Sequence, residues 1–160
     1  IRALEWVKKN YEIEDGEITL EILESVAFGN LERANEILER VRDMGYRISM
    51  DDFGSGYSSL NVLAKLKIDE LKIDQAFLRG MEKGSREERI LETIMKLAKD
   101  LDIPTVVEGV ETLDHETLVK SLDCGCAQGY LYSKPIPADE FTEKFMKNGG
   151  SDYRFQLTEM

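Results

Sequence analysis

Segments with the pattern of β-strands alternate with segments with the pattern of α-helices along the chain. Residues 16–23 alternate apolar and polar side chains, whereas residues 31–44 repeat apolar side chains at helical spacing behind Asn30, a residue typical of helix N-caps. Further strand-like runs cover residues 46–52, 69–74, 105–110 and 127–132, with helical segments between them. This alternation predicts the α/β class, with a parallel sheet and right-handed crossovers.

The longest predicted helix covers residues 86–101, and Pro104 follows it. Ser85 and Glu88 have the spacing of a capping box at its start. We predict that one apolar face of this helix packs on the sheet; its members are Ile90, Ile94, Leu97, Ala98 and Leu101. A closing helix is predicted over residues 138–148.

Polar side chains stand within or at the end of each of the five strand-like runs. They are Glu21, Asp51 with Asp52, Lys72 with Asp74, Glu108 and Gln128, at separations of 30, 21, 36 and 20 residues. A (β/α)₈ barrel has about 31 residues per unit, and its chemistry lies at the carboxyl ends of the strands. We therefore predict that these side chains share one site, although a single such acid would signify no more than a helix cap.

Asp51 and Asp52 are adjacent, so in a regular strand they would point to opposite faces. Both can serve one site only if the strand ends between them and the chain turns, which Gly54 and Gly56 permit. The alternative is that Asp52 only caps the turn that follows, at residues 56–60.

Carboxylates with one lysine, and no histidine or cysteine nearby, favour Mg²⁺ or Mn²⁺ over zinc. A carboxylate that bridges two such ions is a common device for phosphoryl transfer. Lys72 would supply a positive charge to a water or phosphate oxygen, and Glu108 would take a proton from the attacking water. The alternative for Lys72 and Asp74 is a surface ion pair.

The composition fits one globular domain with a phosphate-bearing ligand rather than a nucleic acid. The chain has 160 residues and a formal net charge of −11, which opposes a DNA or RNA duplex as partner. A small phosphate compound is compatible with this charge if a bound cation inverts it locally.

No apolar run is long enough to cross a membrane, and no signal peptide is seen, so we expect a cytoplasmic location. Cys124 and Cys126 fit neither a zinc nor a redox motif, and both are predicted to be buried.

Five segments are recognisable together: LEILES, DDFGSGYSSL, LKIDQAF, VVEGVET and AQGYLYSKP. In order and spacing they resemble the EAL-domain phosphodiesterases of cyclic di-GMP, over essentially residues 1–147. The resemblance implies a TIM-like barrel that opens cyclic di-GMP to linear pGpG with two Mg²⁺ or Mn²⁺ ions.

The resemblance also implies roles for individual residues. Glu21 is similar to a ligand of the first metal, Asp51 to the bridging ligand and Asp52 to a ligand of the second metal. Lys72 and Asp74 would position the water and the metal shell, and Glu108 resembles the general base. The supporting positions, which would hold a loop or the nucleotide rather than a metal, are Glu24, Glu111 and Gln128.

The chain also departs from the family pattern. Leu23, Val107, Asp123 and Gly125 replace the family's usual Thr, Ala, Gly and Asp. The strand with the Glu-Ala-Leu signature and the strand with a metal-binding Asn are expected upstream of Glu21, and neither is present.

From these departures we expect a partial EAL domain at residues 1–148, with about five of eight strands, and a polar tail at 149–160. Such a chain would be a piece of a longer domain, or would associate through the open edge of its barrel as a homo-oligomer. We expect a cyclic di-GMP phosphodiesterase domain that is inactive as this chain. The alternatives are a non-catalytic module that binds cyclic di-GMP or a partner protein, and an unrelated Mg²⁺-dependent barrel enzyme.

Overall fold

The computed structural model of the protein describes residues 1–24, 30–54, 60–82 and 84–147. The five strands of its sheet are β1 (Thr19–Leu23), β2 (Arg47–Phe53), β3 (Glu70–Ile73), β4 (Thr105–Val107) and β5 (Cys126–Ala127). The helices are α1 (Arg2–Asn10), α2 (Leu31–Asp43), α3 (Leu60–Lys65), α4 (Arg86–Asp100), α5 (Leu113–Ser121) and α6 (Ala138–Phe141). A 3₁₀ turn covers Gln75–Phe77, and a π-helical turn, Thr142–Met146, extends α6.

The strands are all parallel and lie in the order β1-β2-β3-β4-β5, which confirms the predicted parallel sheet. Strands β2, β3 and β4 are the most deeply buried, and their inward side chains pack against helices α2 to α5. Because every strand runs in the same direction, the carboxyl ends of all five meet at one end of the sheet. Six of the polar side chains singled out above lie close together at that end: Glu21, Asp51, Asp52, Lys72, Asp74 and Glu108.

The helix caps agree with the sequence in all but one detail. Asn30 accepts a hydrogen bond from Arg33 N–H at 2.9 Å, and Ser85 Oγ accepts one from Glu88 N–H at 3.1 Å. The Glu88 carboxylate accepts from Gly84 N–H, whereas a capping box directs it to the N-cap residue itself.

Helix α4 packs on the sheet through a face that overlaps only partly with the predicted one, with Ala98 common to both. Its buried residues are Leu91, Met95 and Ala98, whereas Ile90 and Leu101 are each 42% exposed. Ile94 and Leu97 lie at the border and are partly buried. The apolar side chains of α4 occupy an arc of roughly 160° at about 100° per residue, and the pattern alone did not fix which part of that arc meets the sheet.

The last predicted strand and the last predicted helix are shorter in the structure. After Ala127 the chain turns, and Leu131 N–H donates to Val110 O at 3.0 Å in place of a longer ladder. Cys126 is exposed, so its predicted burial is wrong, while Cys124 is half-buried. Residues 148–160 lie outside the described residues, so the polar tail stays a prediction.

In the described segments no helix is long and apolar enough to cross a bilayer. The cytoplasmic location stays a prediction.

Candidate metal centre

Strand β2 delivers Asp51 and Asp52 to the same end of the sheet through a bulge. Met50 pairs with Leu71 and Phe53 pairs with Ile73. Strand β2 therefore advances three residues where β3 advances two. The extra residue is absorbed at Asp52, which has a φ of 56°. A bulged residue breaks the strict alternation of side chains. The prediction that the strand ends between the two aspartates is therefore wrong, because β2 continues to Phe53 and a bulge at Asp52 takes the place of the turn.

Gly54 has its own conformational requirement, with a φ of 97° that side-chain-bearing residues rarely adopt. Gly56, the second glycine proposed for the turn, lies outside the described residues, as does most of the turn that Asp52 was alternatively predicted to cap.

Lys72 lies at the centre of the site. Its Nζ is 2.7 Å from Glu21 Oε1, 2.9 Å from Asp51 Oδ1 and 2.8 Å from Glu108 Oε1. The residue is only 6% exposed. Burial alone would lower the pKa of the ammonium group, but the interactions with Glu108, Glu21 and Asp51 outweigh burial and raise it. Lys72 is therefore charged at neutral pH, and it is not the surface partner of Asp74 that the alternative prediction described.

Three carboxylates form the acidic group: Asp51, Asp52 and Glu108. Each offers one oxygen, and these oxygens lie within 4.8 Å of one another. Asp51 Oδ1 is buried, and its 2.9 Å contact with Lys72 lacks the alignment of a hydrogen bond. Burial raises the pKa of Asp52, and the negative charges of Asp51 and Asp74 raise it further, against a smaller opposing effect of Lys72.

This donor set fits a divalent cation. Oxygen ligands from carboxylates are those that Mg²⁺ and Mn²⁺ prefer, and the group includes a buried oxygen without a hydrogen bond. A single lysine cannot neutralise Glu21 and the acidic group together. The geometry therefore provides both the ligands and the uncompensated charge that a divalent cation would balance.

Two further predicted ligands lie beside the acidic group but not within it. Glu21 is held by Lys72, and its side chain is 54% exposed. Asp74 follows β3, where its Oδ1 accepts from Ala76 N–H at 2.7 Å and its carboxyl group contacts Asp52.

The three supporting positions are placed less tightly. Glu24 is buried immediately after β1, but the loop that the resemblance implies it anchors, residues 52–59, is described only as far as Gly54. The side chains of Glu111 and Gln128 are exposed. Gln128 joins the sheet through its backbone, donating to Val107 O at 2.8 Å. Neither side chain hydrogen-bonds to the acidic group in the described part of the structure.

Sequence reasoning missed the segment directly after Asp74. The 3₁₀ turn Gln75–Phe77 lies against Gly54 on one side and Gly109 on the other. The sequence carried a signal for this close packing, because glycine permits close approach of another segment. One glycine, Gly109, follows Glu108 directly, and another, Gly54, follows Asp52 after one residue.

A family model described as "EAL domain" matches residues 1–135. The chain is 36% identical to the "Cyclic di-GMP phosphodiesterase NbdA" of Pseudomonas aeruginosa over 138 residues, which are 86% of this chain and 17% of that protein. It therefore spans under a fifth of the length of this curated relative.

Two solved structures are also similar. One is the "PaMucR Phosphodiesterase, c-di-GMP complex", with a TM-score of 0.79 and 35% identity over 86% of this chain and 63% of that one. The other is a manganese/cy-diGMP complex of Klebsiella pneumoniae BlrP1, with a TM-score of 0.76 and 27% identity over 84% of this chain and 35% of that one. These likenesses confirm the predicted fold class, in which the five parallel strands form part of a TIM-like barrel of the EAL type.

Proposed function

The chain belongs to the EAL domain family, and from this premise we propose that it carries the metal-binding acids and the general base of a phosphodiesterase that hydrolyses cyclic di-GMP to linear pGpG. The observation that carries the proposal is the acidic group around the buried Lys72 at the carboxyl end of the sheet. NbdA is named a cyclic di-GMP phosphodiesterase, and the PaMucR structure is a complex with c-di-GMP.

The two aspartates of the acidic group would hold the metal, with Mg²⁺ or Mn²⁺ as the ion. In this assignment Asp51 would be shared between two ions and Asp52 would bind the second, and Glu21 and Asp74 would be further ligands. The manganese complex of BlrP1 supports this choice of ion. Bound divalent cations polarise phosphate oxygens and make a coordinated water more acidic.

Lys72 and Glu108 would handle the proton and the charge. Lys72 contacts Glu108 through Oε1, which fixes the carboxylate at the end of β4. We assign the second carboxylate oxygen of Glu108 to accept the proton of the attacking water. Because Lys72 also contacts Asp51, one ammonium group sets the distance between the base and the proposed bridging ligand.

The supporting residues would act on the substrate side. Glu24 is buried immediately after β1, and the backbone of Gln128 extends the sheet next to Glu108. In this proposal Glu24 holds a loop, whereas Glu111 and Gln128 contact the nucleotide with their exposed side chains.

The test is to incubate the chain with cyclic di-GMP and Mn²⁺ or Mg²⁺ and to separate the products by chromatography. Glu108→Gln and Asp51→Asn remove the base and the bridging ligand, and Glu36→Gln, on the exposed side of α2, is the matched control. Linear pGpG that disappears in the first two variants and persists in the third supports the proposal. Nucleotide binding without product is what the expected inactivity of this chain and the non-catalytic alternative both predict, whereas neither binding nor product contradicts both.

We further propose that copies of the chain associate through the outer edge of β1. In the described sheet β1 pairs with β2 alone, and Leu23 at its end is half exposed. An unpaired strand edge is a template for pairing with another chain. Sedimentation velocity tests this proposal, because a monomer at all concentrations contradicts it.

We retain residues 1–148 as the proposed domain and 149–160 as the proposed tail.

A further inference from the structure

We infer that the 3₁₀ turn Gln75–Phe77 positions the acidic group, with Phe77 and Gln75 as positioning residues on its two sides; the inference rests on the proposed function. The turn follows β3, the strand between the one that carries the aspartates and the one that leads to Glu108. It therefore lies where a single segment can contact both neighbouring strand ends.

The turn is itself fixed at both ends. Asp74 N–H donates to Phe53 O at 3.2 Å, and Asp74 Oδ1 accepts from Ala76 N–H at 2.7 Å. At the other end Leu78 N–H donates to Gln75 O at 3.0 Å, and Leu78 is only 1% exposed. Because β3 and a buried leucine hold it, the turn is a rigid support rather than a flexible connection.

Phe77 contacts the chain that follows the aspartates. A Cβ atom built on Gly54 would lie 2.0 Å from Phe77 Cε2 and 2.6 Å from its Cζ, so the ring packs directly on the glycine backbone. Gly54 also has a φ of +97°, which a side-chain-bearing residue would resist. The ring therefore fixes the backbone two residues beyond Asp52, immediately after the bulge.

Gln75 makes the corresponding contact on the other side. A Cβ atom built on Gly109 would lie 2.3 Å from Gln75 Cβ and 3.2 Å from its Cα. Gly109 follows Glu108 directly and has a φ of +71°. One turn thus contacts the chain beside Asp52 and the chain beside Glu108, which are two of the three members of the acidic group.

These contacts predict an effect that ordinary packing would not have. Loss of Phe77 would change stability in any case, but only a positioning role would also change the affinity of the acidic group for metal. Groups that orient metal ligands without binding the metal themselves typically contribute roughly 10–100-fold to metal affinity. We therefore expect Phe77→Ala to weaken Mn²⁺ binding about 10-fold.

The first measurement is a Mn²⁺ titration of the chain without nucleotide, in which the free ion is followed by electron paramagnetic resonance. Ile94→Ala is the matched control, because it removes a partly buried apolar side chain of α4 on a different element. Weaker Mn²⁺ binding in Phe77→Ala but not in Ile94→Ala supports the inference. Equal affinity of Phe77→Ala and the unmodified chain overturns it.

Gln75 provides a second variant pair that keeps the test open if Phe77→Ala does not fold. Gln75 is exposed, and its contact with Gly109 is made by Cβ. Gln75→Ala retains that atom and should retain Mn²⁺ affinity, whereas Gln75→Gly removes it and should weaken binding. Identical affinities of these two variants contradict the role of Gln75.

A double-mutant cycle separates failure of this inference from failure of the proposed function. Gly54→Ala should lower the urea midpoint of unfolding in both backgrounds, but by less in the Phe77→Ala background, where the strain of the positive φ remains and the overlap with the ring does not. Additive effects would show that the ring does not hold Gly54 and would overturn the inference without any metal. Coupled effects in a chain that binds no Mn²⁺ would instead contradict the proposed function.

Discussion

Asp52 combines two unfavourable features at one residue. Its backbone has a φ of 56°, in the left-handed region that Asp adopts more readily than most residues but still at a cost. Its carboxylate is placed against Asp51 and Asp74, so burial and like charge raise its pKa. Strain and repulsion of this kind concentrate at functional sites, and here both follow from the same bulge.

We predict that Asp52→Asn stabilises the metal-free chain at neutral pH. A carboxyl group whose pKa is raised on folding stabilises the folded state most when it is protonated. The stability that Asp52 contributes is therefore present below the unfolded pKa of 3.8 and is lost as the pH rises through the higher pKa of the folded state. The difference between variant and unmodified chain should thus be small at pH 3 and reach a plateau near pH 7.

Urea unfolding in a chelator, repeated across this pH range, measures the effect. Asp139→Asn is the contrasting control, because Asp139 stands in the first turn of α6, where a negative charge is favourable. An Asp52→Asn variant that is less stable than the unmodified chain at pH 7 would contradict the electrostatic account.

Lys72 has the opposite role, since it relieves the repulsion that the acids create. We predict that Lys72→Met lowers the free energy of unfolding by about 3 kcal/mol, the low end for breaking a buried ion pair, since Glu21 is half exposed. Because folding raises the pKa of Lys72, this contribution is fully present below the ordinary lysine pKa of 10.5 and is lost only above it.

The measurement is again urea unfolding at several pH values. Lys99→Met is the matched control, because the Lys99–Asp123 pair is largely exposed and should matter little. Equal losses in the two variants at pH 7 would show that the contacts of Lys72 with the acids do not stabilise the fold.

At the scale of elements, the sequence predicted what depends on local pattern and missed what depends on packing. The order of strands and helices, the caps at Asn30 and Ser85, and the gathering of acids at one end of the sheet all follow from periodicity and chain direction. The bulge at Asp52 does not, because it is defined by register with β3. The short β5 depends on the contact of the following turn with Val110, which no local signal indicates.

Helix α4 allows a direct test of the face that packs on the sheet. We predict that Leu91→Ala lowers the free energy of unfolding by about 3 kcal/mol, as is usual for truncating a buried leucine. Ile90→Ala removes an adjacent side chain of the same size that is 42% exposed, and should cost much less. Chemical denaturation of both variants decides the matter, and the reverse ranking would restore the face predicted from the sequence.

For the molecule as a whole, the parallel sheet concentrates negative charge. Four strand ends deliver acids to one end of a chain whose formal net charge is −11, and Lys72 is the one buried ammonium group among the described residues that offsets them. Because the negative charges of this cluster are not fully neutralised, binding of a divalent cation should stabilise the fold. Stability and metal binding are therefore coupled through the same few residues.

We predict that Mn²⁺ raises the thermal midpoint of the chain in the absence of nucleotide. Binding to the folded state alone adds roughly 2.7 kcal/mol when the ion is at 100 times its dissociation constant. Asp51→Asn, which removes a proposed ligand with a buried oxygen, should abolish most of this gain, and Glu36→Gln on α2 should retain it. Because salt screens repulsion generally, NaCl at matched ionic strength is the second control. A gain that NaCl reproduces, or that survives in Asp51→Asn, would mean that Mn²⁺ acts on overall charge and not at the acidic group.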